Sequence, residues 1–154
     1  MPEWLKETEE MVYSGRIKVP YTWWVGETGT DFFNALKDEK KILGRYCPGC
    51  DLVFVPPRKT CGRCFTQDMQ WRELGTQGTL TTYTIPRVRQ DIHPLEPPFA
   101  YGIIKLDGAD TGLTHLLAEF KEGGLKSGMR VEAVFREEPT GGLLDIRYFR
   151  PAAG

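Results

Sequence analysis

The sequence lacks any apolar run near the roughly 20 residues that a membrane-spanning helix needs. It opens on Met1-Pro2-Glu3-Trp4, with neither the basic nor the apolar stretch of a secretory leader. Histidine is scarce, with two among 154 residues, and no cysteine falls outside two close pairs. The chain therefore offers no histidine in a recognisable catalytic motif and no spare thiol to act as a nucleophile. An excess of positive charge is missing as well. The formal net charge of -1 argues against a dedicated nucleic-acid binder, whose affinity rests on neutralising phosphates. The expected location is the cytoplasm, where thiols stay reduced.

What is present is ordinary for a globular protein: 40% hydrophobic and 27% charged residues. The charge is unevenly spread. Residues 1–40 carry five basic and eight acidic side chains, residues 41–72 six and two, and residues 73–154 nine and eleven. The cysteine segment is thus a basic island of +4 in an otherwise acidic chain.

Residues 3–13 place Trp4, Leu5, Thr8, Met11 and Val12 near helical spacing among glutamates, so a short amphipathic helix ended by Ser14-Gly15 is expected. An aromatic stretch with Pro20, Tyr21, Trp23 and Trp24 follows. A second helix is expected to start at Thr30 or Asp31, either of which can cap it, and to carry Phe32, Phe33 and Leu36 inward before the charged end Lys37–Lys41. Ile42–Tyr46 and Leu52–Val55 read as strands flanking the first cysteine pair, with Met69–Trp71 pairing back after the second. Gly75 and Gly78 mark a boundary.

Beyond it the pattern changes to short strands at Thr79–Val88, Phe99–Leu106, Leu113–Phe120, Met129–Arg136 and Leu143–Phe149. They are separated by turn residues such as Asp107-Gly108, Gly123-Gly124, Ser127-Gly128 and Gly141-Gly142. Five strands is the count of an OB-fold barrel. The expected fold is therefore mainly β, with a helical aromatic arm over 1–41, a cysteine ribbon over 42–74 and a five-stranded OB-fold barrel over 75–154.

The cysteines form Cys47-x2-Cys50 and Cys61-x2-Cys64, with ten residues between the pairs. Each pair can form a knuckle, a tight turn that presents two thiolates to one metal while backbone N–H groups point at sulfur. Gly49 and Gly62 lie inside these turns and suit unusual dihedrals. Two knuckles make a closed tetrahedral four-thiolate site for one structural Zn2+, with no open position at which water is activated. Iron uses the same ligands. Redox dithiols or disulfides are the competing reading, disfavoured by the reducing location and the ribbon spacing.

With ribbon and barrel in this order, the chain resembles a family of acyl-CoA-associated proteins that join a rubredoxin-like zinc ribbon to a C-terminal OB-fold and partner with thiolase-like enzymes. The resemblance covers about residues 30–152. It is carried by the helix Phe32–Lys40 leading into Tyr46-Cys47-Pro48-Gly49-Cys50, by Pro56-Pro57-Arg58 before Cys61-Gly62-Arg63-Cys64, by Trp71 with Gly75 and Gly78, by Pro98-Phe99 and by Gly128-Met129-Arg130-Val131. One departure is Asp51, where relatives commonly carry glycine after the second cysteine. The aromatic arm is most similar to that of the small subunits of benzoylsuccinyl-CoA thiolases from anaerobic toluene degradation.

The resemblance implies an accessory subunit, not catalytic alone, that docks on a thiolase-type catalytic subunit and helps shape or gate its acyl-CoA site. Arg58, Lys59 and Arg63 are then candidates to meet coenzyme A phosphates, although a solvated basic face that balances the thiolates has equal standing. Tyr21, Trp23 and Trp24 are candidates for the partner interface, against the alternative that they pack on the barrel or ribbon. Trp71 reads as core. A different class of function, a zinc-ribbon and OB-fold module for nucleic acid, would need aromatic platforms, for which Tyr83, Tyr101 and Tyr148 are the candidates. Cys61→Ser is expected to unfold the ribbon and lose the partner while leaving a folded barrel, since metal binding supplies most of the ribbon's folding energy.

Overall fold

The computed structural model describes residue 3, residues 12–15 and residues 19–152. The helix expected over 3–13 falls, apart from its ends, outside these residues. The described residues 12–15 and 19–25 form no helix or strand. Helix α1 spans Gly26–Asn34 and widens into a π-helical turn, Ala35–Glu39. It begins four residues before the expected Thr30 cap, and Val25 at its N-cap makes no side-chain capping bond. Thr30 instead donates its hydroxyl to the Gly26 carbonyl at 2.8 Å, inside the helix. Burial of Phe32, Ala35 and Leu36 holds this helix in place of a cap. Lys40 ends it in the left-handed region (φ 55°), and the Lys41 N–H returns to the Ala35 carbonyl at 3.1 Å.

Three strands follow as a small antiparallel sheet of order β2-β1-β3: β1 Ile42–Cys47, β2 Leu52–Phe54 and β3 Gln70–Leu74. The Arg45 guanidinium sits 4.6 Å from the Trp71 ring, which it faces across β1 and β3, and Arg72 lies 4.0 Å from the Tyr46 ring. Trp71 is therefore a half-exposed platform under an arginine, not the core residue expected from sequence.

The remaining strands are β4 Gln77–Thr84, β5 Ala100–Leu106, β6 Leu113–Leu117, β7 Arg130–Phe135 and β8 Ile146–Pro151. They close into a barrel of order β4-β5-β6-β8-β7, with β6 and β8 parallel and the other pairs antiparallel. Five strands in this closure are the OB-fold architecture. Several strand ends differ from the expectation; β6, for one, stops at Leu117 instead of Phe120. Strand β4 stops at Thr84, ahead of Pro86, and residues Leu143–Asp145 form a 3-10 turn instead of starting the last strand. Alternation in β7 holds: Val131 is in the core with Ala133 and Phe135 against it, while Val134 joins a second cluster with Phe99, Leu116 and Tyr148.

One apolar core runs through all three parts. Phe32 and Leu36 from α1, Ile42, Val53, Val55 and Leu74 from the ribbon, and Leu80, Ile104, Leu117, Val131 and Phe149 from the barrel belong to a single cluster. Backbone bonds reinforce it. The Val53 N–H donates to the Asp110 carboxylate at 2.8 Å, the Asp110 N–H returns to the Val53 carbonyl at 2.9 Å, and the Val55 N–H donates to the Thr111 hydroxyl at 2.8 Å. That hydroxyl donates back to the Val55 carbonyl at 3.0 Å. Strand β2 is thereby fastened to the β5–β6 loop. At the junction, a Cβ on Gly78 would lie 2.5 Å from the Lys105 carbonyl oxygen and 2.9 Å from Leu106 Cα, so glycine is what lets β4 approach β5 there.

Candidate metal centre

The end of β1 and the turn after it deliver Cys47 and Cys50, and the loop between β2 and β3 delivers Cys61 and Cys64. The four sulfur atoms lie within 4.8 Å of one another. Cys47 and Cys64 Sγ are 3.5 Å apart, and Cys50 and Cys61 Sγ are 3.9 Å apart. A tetrahedron of four Zn–S bonds of about 2.3 Å has edges of about 3.8 Å, so the set fits one metal ion. Cys47 and Cys61 are fully buried, Cys50 is half-buried and Cys64 is exposed.

The second knuckle is held by its own backbone: the Phe65 N–H donates to the Cys61 carbonyl at 3.1 Å, and the Cys61 N–H to the Thr66 carbonyl at 2.9 Å. The Arg63 N–H points at Cys61 Sγ, 3.4 Å away. An N–H aimed at sulfur stabilises the thiolate form. The backbone N–H groups of Cys64 and Arg63 pull the Cys61 thiol down to about 6. Cys50 is pushed up to about 12, first by its bond to Cys64 and then by burial, and burial also raises Cys47. Four close sulfurs cannot all ionise unaided, and a divalent cation would supply the missing charge.

The left-handed backbone expected at Gly49 and Gly62 falls elsewhere. Neither glycine has positive φ; the residues that do are Asp51 (φ 51°) and Phe65 (φ 60°), each immediately after the second cysteine of its pair. Asp51 suits that conformation and accepts a 2.9 Å bond from the Tyr46 hydroxyl, which explains how the departure from glycine is tolerated. Phe65 was invisible to sequence reasoning, because nothing local marks a bulky residue for that region.

The candidate phosphate-binding residues lie on one exposed stretch near the second knuckle. Arg58 stacks over the Phe54 ring at 5.6 Å, Lys59 Nζ is 3.8 Å from the Glu27 carboxylate, and Arg63 is exposed beside Cys64. Lys59 also borders an open cleft of about 340 Å³ with Pro57 and Trp24–Gly29. Arg58, Lys59 and Arg63 are all exposed, and so are Tyr21, Trp23 and Trp24, at 77%, 67% and 75%.

Neither histidine has the setting of an acid-base catalyst. His115 is buried, its Nδ1 accepts the Leu116 N–H at 2.8 Å, and its Nε2 therefore donates to the Leu143 carbonyl at 3.1 Å. Burial pushes its pKa below the ordinary value. His93 packs edge-on against Phe99 at 5.2 Å in the β4–β5 loop. The tyrosines proposed as nucleic-acid platforms are occupied internally: Tyr83 donates to the Leu125 carbonyl at 2.8 Å, Tyr148 is buried and donates to Glu119, and Tyr101 packs edge-on against Phe99. Asp145, which sequence reasoning missed, is a buried carboxylate that accepts bonds from the N–H groups of Thr140, Gly141 and Gly142 and from the Thr140 hydroxyl. Among the described residues no helix is long and apolar enough to cross a membrane.

Comparison with known proteins agrees with this geometry. A DUF35 domain-containing scaffold protein of Methanocaldococcus jannaschii is 27% identical over 121 residues, which are 75% of this chain and 85% of that protein. Among solved structures, one described as the Ltp2-ChsH2(DUF35) aldolase superposes with a TM-score of 0.65 at 21% identity, covering 84% of this chain and 98% of that one; the likeness is one of fold. A Sulfolobus solfataricus protein of the DUF35 family, of unknown function, superposes with a TM-score of 0.59 at 25% identity, covering 82% and 83%. Residues 35–70 match the ChsH2 rubredoxin-like zinc ribbon domain and residues 71–136 the ChsH2 C-terminal OB-fold domain. The chain belongs to the ChsH2 family of zinc-ribbon and OB-fold proteins.

Proposed function

We propose that this chain is the non-catalytic accessory subunit of a thiolase-type enzyme complex in the cytoplasm, docking on the catalytic subunit and helping to form or gate its acyl-CoA site. The observation that carries the reading is the commitment of every cysteine to one closed four-sulfur centre, beside two histidines placed for packing and hydrogen bonding. The chain has a scaffold's parts, and the catalytic subunit must bring the nucleophile. A scaffold protein and an aldolase complex among its relatives support the same role.

In this reading Cys47, Cys50, Cys61 and Cys64 hold one structural Zn2+, which fixes the two knuckles and leaves no coordination position for chemistry. Iron binding the same ligands would serve the same end. Arg58, Lys59 and Arg63 meet the phosphates of coenzyme A, with Lys59 exchanging Glu27 for phosphate. Tyr21, Trp23 and Trp24 contribute to the subunit interface. The units 1–41, 42–74 and 75–154 correspond to arm, ribbon and barrel, joined by a common core. The aromatic arm favours benzoylsuccinyl-CoA thiolysis as the reaction of the complex.

Co-expression with a candidate thiolase-type subunit tests the proposal. A complex of fixed stoichiometry is expected on size exclusion, with acyl-CoA thiolysis present only when both chains are. A chain that stays alone, or that turns over benzoylsuccinyl-CoA by itself, would overturn it.

A further inference from the structure

The two knuckles share one backbone feature, and the residues that occupy it differ in an informative way. In each, the residue after the second cysteine takes positive φ, where glycine or asparagine is at ease and a bulky side chain is strained. Asp51 fills the first position with a short polar side chain bonded to Tyr46. Phe65 fills the second with an aromatic ring that is 77% exposed. Its backbone bond to Cys61 shows that the turn imposes the conformation. The turn does not call for phenylalanine: inside the chain that residue adds strain and buries little.

We infer that Phe65 is the pin by which the ribbon tip docks, its ring entering an apolar pocket of the catalytic subunit. This rests on the accessory-subunit reading and names the contact that reading leaves open. The receiving pocket is apolar at its floor, to take the ring, and anionic at its rim, because the exposed Arg63 adjoins Cys64 and the Arg58 guanidinium reaches Gly62 in the same knuckle. Bound coenzyme A supplies such a rim as readily as carboxylates, which places the pin beside the mouth of the acyl-CoA site. The strain at position 65 has a use as well. A rigid knuckle holds the ring outward in one direction before docking, so little freedom is lost when it binds.

The test uses the full-length chain with its co-expressed thiolase-type subunit and three forms of position 65. Phe65→Asn suits positive φ and removes the ring, while Phe65→Leu keeps an apolar side chain. Phe65→Asn is expected to melt at or above the wild-type temperature as the isolated chain, with unchanged metal content, and to bind the catalytic subunit at least tenfold more weakly. Phe65→Leu is expected to fall between the two. Equal binding by wild type and Phe65→Asn overturns the pin and leaves the accessory role standing. Failure of the wild-type chain to form any complex overturns both. A marked fall in melting temperature for Phe65→Asn would make the ring a packing residue, and a wild-type homodimer abolished by Phe65→Asn would assign it to a second copy; either result overturns the proposal.

Discussion

Removing the metal, by chelation or by Cys61→Ser, is expected to destabilise the barrel together with the ribbon. Strand β2 lies between the two cysteine pairs, so it loses both anchors when the metal leaves. It carries Val53 and Val55 into the common core, and burying two such side chains stabilises the fold by about 3–6 kcal/mol. The four hydrogen bonds between Val53, Val55, Asp110 and Thr111 add about 4 kcal/mol at about 1 kcal/mol each. A loss of about 7–10 kcal/mol is comparable with the whole stability of a typical domain, about 5–15 kcal/mol. The shared core argues against the expectation of a barrel that survives alone. Urea unfolding should show a single transition for the metal-loaded chain. In Cys61→Ser, hydrogen exchange should show protection lost from β5 and β6 along with the ribbon. A metal-free chain whose barrel amides keep full protection would refute the coupling.

Asp145→Asn keeps the size of a buried side chain but turns one carboxylate oxygen into a donor: at Oδ1 it loses the Thr140 N–H bond, at Oδ2 those from Gly141 and Gly142, so the change should cost about 1.5–3 kcal/mol in urea melts. Burial disfavours the Asp145 carboxylate, yet the N–H groups of Thr140, Gly141 and Gly142 outweigh it and leave the pKa lowered. Its stabilisation is therefore complete above the unfolded value of about 3.9 and is lost as pH falls through the lower native value. His115 acts in a higher window. Its native pKa is lowered by burial, so the unfolded chain takes up the proton first, and stability should decline below about pH 6.5 by up to about 1.4 kcal/mol per pH unit. That component should disappear from the pH series in His115→Gln. Gly78→Ala presses a methyl group onto the Lys105 carbonyl and Leu106 Cα, and should lower stability by about 3 kcal/mol.

The parts of the fold legible in the sequence were those with a local chemical cause. Cysteine spacing located the metal centre, and glycine-containing turns such as Asp107-Gly108 and Ser127-Gly128 separated the barrel strands. The start of α1 was misplaced because Thr30 has the chemistry of a cap, whereas the helix is held by Phe32 and Leu36 against residues far along the chain. Fusion of ribbon and barrel was hidden for the same reason: Val53 meets Asp110 across 57 positions, and neither residue announces the other. Trp71 reads as core in the sequence, and only the register of Arg45 opposite it shows why a tryptophan can stay half-exposed. Within the site, the cysteines were legible and the environment of Arg58 and Lys59 was not, since Phe54 and Glu27 reach them through tertiary packing.

X-ray absorption at the metal edge of protein purified without chelator addresses the central claim most directly. One zinc or iron per chain, surrounded by four sulfur atoms and no oxygen, is the predicted result. A chain with no metal, or a metal carrying a water ligand, would contradict the closed centre on which the scaffold role depends.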